Sequence, residues 1–171
     1  DANPKDYQPL MVKSSLESSA ALSMEHTVKD TIATRKVAFL LADGVNEASV
    51  SLVKKMLEAK GAVVELVATK LGTVMAENKV ELAIPKSLLT TASVLYDAVY
   101  VPGGKKSIAT LAATPDAIHF LNEADKHCKA IAADEDSRNL LEATNFSAEL
   151  ATTTGVVISS KSKELATDFI T

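Results

Sequence analysis

Residues 36–69 read KVAFLLADGVNEASVSLVKKMLEAKGAVVELVAT, and this stretch decides the fold. Lys36 to Leu41 is an apolar run of strand length. After Ala42-Asp43-Gly44, apolar residues recur at helical spacing through Ala48, Leu52, Val53, Met56 and Leu57, and Gly61 is placed to end that helix. A second apolar run, Ala62 to Thr69, follows at once. Strand, helix and strand within so few residues make a βαβ unit, whose strands are expected to be parallel with a right-handed crossover.

The alternation continues outward from this unit. Gly72 and the alternating Val80 to Ile84, closed by Pro85, predict a small hairpin or excursion. Tyr96 to Val101 predicts a strand and Pro102-Gly103-Gly104 its exit turn. Helical patterns cover Ser107 to Ala112 and Asp116 to His127, the second opened by Thr114 as cap and Pro115 at the first helical position. Ala130 to Ala133 reads as a short buried strand, Ser137 to Thr144 as a helix, Val156 to Ser159 as a strand and Ser162 to Ile170 as a closing helix. The expected architecture for residues 35–171 is α/β, a flavodoxin-like three-layer sandwich with a mainly parallel sheet. Residues 1–34, with Pro4, Pro9 and a dense set of serines, read as a linker arm, partly disordered or docked, in which Leu16 to Thr31 could form only a marginal amphipathic helix.

Composition narrows the function classes. The 171 residues carry 18 basic and 22 acidic side chains, a net charge of −4, and only two of the basic residues are arginines. Without a basic block, nucleic acid is not an expected partner. No apolar run approaches the roughly 18 residues of a membrane span, so no membrane partner is expected either. A single cysteine excludes an internal disulfide. The chain opens on Asp1 without a charged start and apolar leader, which points to a piece of something longer.

In an open parallel sheet, ligands gather beyond the carboxyl ends of the strands. The loops there read Ala42 to Glu47, Pro102 to Ser107 and Asp134 to Ser137. The first loop with its helix, the segment Tyr96 to Gly104 and the segment Lys129 to Leu141 together resemble the DJ-1/PfpI branch of the class I glutamine-amidotransferase-like fold. That resemblance implies an acid in the first loop, a Pro-Gly-Gly turn offering N–H groups to an oxyanion, and an elbow carrying a nucleophilic cysteine usually followed by histidine. The chemistry is coherent, because a thiolate needs a donor-rich environment and its oxyanion needs preorganised donors. Here Glu135 stands where the cysteine belongs, Asp136 where histidine often stands, and Asn46 at the acid's position, with Glu47 one residue out of register. Gly103 and Gly104 alone survive, and a glycine turn can persist for backbone reasons. The site is expected to be degenerate, with no catalytic residue.

Intact fold markers combined with missing catalytic ones resemble a particular subgroup, the C-terminal domain of large-subunit haem catalases. The resemblance runs from Arg35 to Thr144. It implies a non-catalytic domain whose parent decomposes hydrogen peroxide with haem, and as partners the catalase core and neighbouring subunits of a homotetramer. Haem catalases of this type hold iron through a tyrosinate supported by an arginine four residues earlier. Here Arg35 leads to Phe39 and Arg138 to Glu142, so no haem ligand and no cofactor is expected within the chain. Detached from its parent, such a domain would uncover surface and could hold unfolding client proteins without ATP. A rival reading from the enzyme class is a divergent DJ-1/PfpI-like hydrolase or glyoxalase using Glu135 as nucleophile.

Other residues receive plainer readings. Cys128 lies ahead of the fourth strand, away from the elbow, and reads as an inert, partly buried thiol. His119 and His127 match no metal-ligand spacing and read as helix-surface residues, so no metal is expected. Gly103-Gly104-Lys105-Lys106-Ser107 fails the phosphate-loop pattern twice, though an anion on its N–H groups stays open. Asp134, Glu135 and Asp136, with Asp43, could bind a cation or imitate a phospho-receiver, but a solvated acidic loop is favoured because adjacent carboxylates repel. Asn145-Phe146-Ser147 is a glycosylation sequon, meaningful if the parent is extracellular; otherwise the expected location is cytoplasmic.

Overall fold

The computed structural model describes residues 30–150 and 155–171. Residues Ile32–Thr171 form one compact unit. The marginal helix expected over Leu16 to Thr31 lies, but for its last two residues, outside the described residues, as does most of the serine-rich arm.

Among the described residues six strands make the main sheet: β1 (Lys36–Leu41), β2 (Val63–Ala68), β5 (Lys86–Ser87), β6 (Ala98–Val101), β7 (Ala130–Asp134) and β8 (Val156–Ser159). Their order is β5-β2-β1-β6-β7-β8 and every pairing is parallel. Strands β3 (Gly72–Met75) and β4 (Glu81–Ile84) pair antiparallel as a separate hairpin, the excursion that the alternation at Val80 to Ile84 predicts. The two-residue β5 is too short to leave an apolar pattern.

Strand β1 is central, and its side chains alternate between two cores, as the period of a strand requires. Ala38, Leu40 and Ala42 join one core with Ile108, Leu111, Phe120, Leu121 and Leu140. These come from α2 (Lys105–Ala112), α3 (Pro115–Lys126) and α4 (Arg138–Glu142). Val37, Phe39 and Leu41 join the other core with Val50, Val53, Leu57 and Leu165, from α1 (Glu47–Ala59) and α5 (Ser162–Ile170). Helices therefore cover both faces of a parallel sheet, and the flavodoxin-like three-layer sandwich is the fold.

Local differences have local causes. In α1 the apolar periodicity places Ala48 and Leu52 inward, yet both are exposed, and Ser49, Val50, Val53 and Leu57 form the buried face. Ser49 is accommodated because its hydroxyl hydrogen-bonds Ser162 of α5 at 3.0 Å. Gly61, just beyond the C-cap of α1, has φ +86° and donates its N–H to Glu58 O at 2.9 Å, ending the helix as expected. Pro115 opens α3, but the Thr114 hydroxyl donates back to Thr110 O at 2.8 Å instead of capping.

Candidate functional site

The β1 exit and the β6 exit are interlocked at the carboxyl end of the sheet. Gly104 has φ +120°, and a Cβ there would lie 2.3 Å from Gly44 O and 2.9 Å from Asn46 N. Gly44, at φ +86°, faces Lys106 so closely that its own Cβ would come within 2.6 Å of that residue's Cβ. Between them Asn46 N donates to Gly103 O at 2.8 Å, and Ala42 N donates to the buried Ser107 hydroxyl at 2.9 Å. The glycine turn is retained because two backbones touch there. Asn46 serves as N-cap of α1, its side-chain oxygen accepting from Ser49 N at 3.2 Å, which satisfies one of the helix's orphan donors. Glu47 accepts from the Ser51 hydroxyl and, at 3.3 Å, from Asn78 Nδ2.

Asp134 corrects the reading of a solvated acidic loop. It is the last residue of β7 and is buried. Its Oδ1 accepts from the Tyr100 hydroxyl at 2.9 Å and its Oδ2 from Gly103 N at 2.8 Å. Burial first, and then the Asp134 charge and hydrogen bond, push the Tyr100 phenol well above its ordinary range. The Gly103 N–H, which the resemblance would aim at an oxyanion, is thus taken by a carboxylate of the same chain.

Glu135 and Asp136 are exposed as expected. They open a 3-10 turn, Glu135–Ser137, that leads into α4. Glu135 Oε1 accepts from Arg138 Nε at 2.9 Å, both side chains being about half exposed. Among the described residues the non-glycine positions at positive φ are Thr34, Lys79 and Cys128, so the elbow at Glu135 lacks that strain. Ser137 is buried and donates to Val101 O and Pro102 O, each at 3.1 Å, fastening the elbow beneath the glycine turn. Lys105, Ile108, Glu135, Asp136, Arg138 and Asn139 border a shallow groove of about 440 Å³ whose charges are of both signs. Sequence reasoning missed Tyr100, Ser107 and Ser137 as members of this network. The available signal was the accounting rule that a polar residue inside an apolar segment needs a partner.

The remaining candidates are dispersed. Asp43 Oδ1 accepts from Met75 N at 2.9 Å and Oδ2 pairs with Lys70 Nζ at 3.2 Å. The Met75 N–H holds the Asp43 carboxyl below the usual carboxylate range; desolvation opposes it, and Lys70 and Lys106 add to the lowering. Asp43 thereby pins the β3–β4 hairpin to the β1 exit. Among the described residues no three His, Cys, Asp or Glu side chains are placed to hold a metal ion. Cys128 is exposed, not partly buried, because φ +53° puts it in a left-handed turn between α3 and β7. It sits at the amino end of β7, and the strand's length of roughly 16 Å separates it from Glu135. His119 and His127 lie exposed along α3, with His127 Nε2 3.7 Å from Glu123 Oε2. Asn145 is exposed in a turn, its N–H donating to Asn122 Oδ1 at 2.8 Å. The hydroxyl of Tyr96 donates to Glu65 at 2.8 Å and that of Tyr100 to Asp134, while Arg35 pairs with Asp97 and Arg138 with Glu135. No described helix is long and apolar enough to cross a membrane.

The sheet order, the two helical layers and the glycine turn define a fold of the DJ-1/PfpI type. Solved structures agree on the fold. A cysteine-to-alanine mutant of a DJ-1 superfamily protein from Salmonella typhimurium superposes with a TM-score of 0.67 at 24% identity, covering 80% of this chain and 86% of that one. Oxidized DJ-1 from Toxoplasma gondii gives 0.70 at 16% identity, covering 80% and 89%. Residues 33–171 match the family described as the C-terminal domain found in long catalases, and the chain belongs to that family. It is 41% identical to a catalase HPII of Mycobacterium avium over 140 residues, which is 81% of this chain and 20% of that protein. Against a catalase HPII of Pseudomonas aeruginosa the identity is 40% over 122 residues, 71% of this chain and 17% of that protein. The chain thus spans about a fifth or less of the length of these relatives.

Proposed function

We propose that this chain is a non-catalytic C-terminal domain that stabilises a long catalase and its assembly, the rest of the parent decomposing hydrogen peroxide with haem. The observation that carries the reading is the occupation of the cleft by the chain itself. Gly103 N–H is bonded to Asp134, Asn46 caps α1, and Glu135 is turned outward onto Arg138. A carboxylate paired with a guanidinium is a poor nucleophile, and no histidine follows it to activate water for hydrolysis of a covalent intermediate, which disfavours the rival hydrolase or glyoxalase reading. The core and the neighbouring subunits of a homotetramer are the partners in this reading.

Deleting Arg35 to Thr171 from the parent tests it. The expected result is a shorter half-life of peroxide decomposition on heating and a weakened tetramer in sedimentation, whereas unchanged values overturn the reading. Turnover of an ester or of methylglyoxal by the chain, lost in Glu135→Gln, would restore the enzymatic alternative.

A second activity, holding unfolding clients without ATP, is favoured by one observation. Leu89, Val94 and Leu95 are 78%, 73% and 58% exposed within seven residues of sequence. Light scattering of a heat-aggregating client with the chain in molar excess decides it, and undiminished aggregation removes it.

A further inference from the structure

The connection between β5 and β6 departs from the usual loop pattern of polar residues. It crosses the α3 side of the molecule with Leu88 buried at its start and Tyr96 buried at its end. Between them Leu89, Val94 and Leu95 stand in solvent, the last two on a 3-10 turn, Ser93–Leu95. That turn is held firmly. Lys129 Nζ donates to Ser93 O at 2.6 Å and to Tyr96 O at 2.7 Å, and desolvation there lowers the ammonium's pKa. An ammonium partly withdrawn from water to fasten a turn that displays valine and leucine is a fixed presentation of apolar surface, not a frayed loop.

Beside the strap runs a groove of about 290 Å³ whose lining includes Leu88, Val94 and Phe120. Its rim carries Asp116, His119, Glu123 and His127, all from the α3 side. Glu123 is shared with Lys126 at 3.2 Å and with His127, while Asp116 forms no ion pair among the described residues. The fitting occupant is therefore an apolar side chain flanked by a lysine or arginine that reaches Asp116.

We infer that the strap Leu88–Leu95 and the groove along α3 are the surface by which this domain packs on the remainder of its own long-catalase polypeptide. The inference rests on the proposed stabilising role and gives it a location. The occupant follows from chain length and tethering. In the matched relatives four fifths or more of the polypeptide lies outside this segment, covalently joined to it. A joined segment competes at an effective concentration on the order of millimolar, which a free client or a second copy does not match.

Hydrogen exchange on the intact parent and on the separate 171-residue chain tests the assignment. Amides of residues 88–95 are expected to exchange at least about tenfold more slowly in the parent than in the chain alone. Val94→Asp with Leu95→Asp in the parent should abolish that difference and shorten the half-life of heat inactivation. Because both side chains are exposed, the circular dichroism of the variant chain should match the wild type. Equal exchange in parent and chain overturns the proposal. So does protection in the chain alone that rises with its concentration, which assigns the surface to a second copy, or protection only with a heat-unfolded client, which assigns it to client binding. If deletion of the domain destabilises the parent while residues 88–95 stay unprotected, the stabilising role survives and this surface does not. Protection without any deletion effect keeps the surface and removes the stabilising role.

Discussion

Two neighbouring strand exits have had opposite fates. At the β6 exit, Gly103 and Gly104 are gripped from three sides: by Asp134 through an N–H bond, by Asn46 through a carbonyl, and by the Gly44 backbone at a distance that admits no side chain. At the β7 exit the side chains of Glu135 and Asp136 lie in solvent, Glu135 paired with Arg138 one helical turn on, and the turn is anchored from below by Ser137 rather than through either carboxylate. The first exit has become part of the core, and the second has become ordinary surface. Chemistry at this end of the sheet would need both, a donor free to bind a developing charge and a reactive group held beneath it. The difference teaches that residues at one end of a sheet are absorbed into packing where they are buried and left to solvent where they are not.

The contrast is broken most directly at Gly104. Gly104→Ala places a methyl group against the Gly44 carbonyl and forces a side chain into positive φ, and should cost about 3–5 kcal/mol in denaturant unfolding. A midpoint unchanged from wild type would mean that the exits are not interlocked. Asp134→Ala comes next. It leaves the Tyr100 hydroxyl and the Gly103 N–H without their acceptor, and a loss of about 2–4 kcal/mol is expected by the same measurement.

Tyr100→Phe sharpens the comparison through pH. The folded-state phenol titrates above its ordinary value of 10.0, so the unfolded chain releases that proton first. Stability is therefore retained below about pH 10 and lost as pH rises further, with Tyr96 acting in the same sense. In melting curves between pH 8 and 11, Tyr100→Phe should start lower and decline less steeply; a parallel decline would contradict the buried phenol. The smallest effect belongs to the other exit. Glu135→Ala removes one exposed ion pair that solvent already screens, and should leave the melting temperature within experimental scatter. A clear drop would show that the elbow is structural after all.

How much of this was legible in the sequence depends on whether partners were close along the chain. Apolar runs marked β1, β2 and β7, and Gly61 and Pro115 marked helix boundaries, because each acts on its immediate neighbours. Asn46, Glu135 and Asp136 were singled out by resemblance, which gave no sign of the work Asn46 does as the cap of α1. Asp134 read as solvated because its partners Tyr100 and Gly103 lie 34 and 31 residues away. Ser49 concealed its burial for the same reason, since the hydroxyl that satisfies it is 113 residues distant. The inward face of α1 was accordingly misjudged by one position.

The bond from Gly103 N–H to Asp134 bears on redesign as well as stability. Anyone grafting a thiol onto position 135 would meet an acceptor already seated where a newborn negative charge must land. Clearing that seat strands the phenol behind it. Opening the Gly103 N–H to a ligand therefore requires several side chains to change together, Asp134 and Tyr100 first among them.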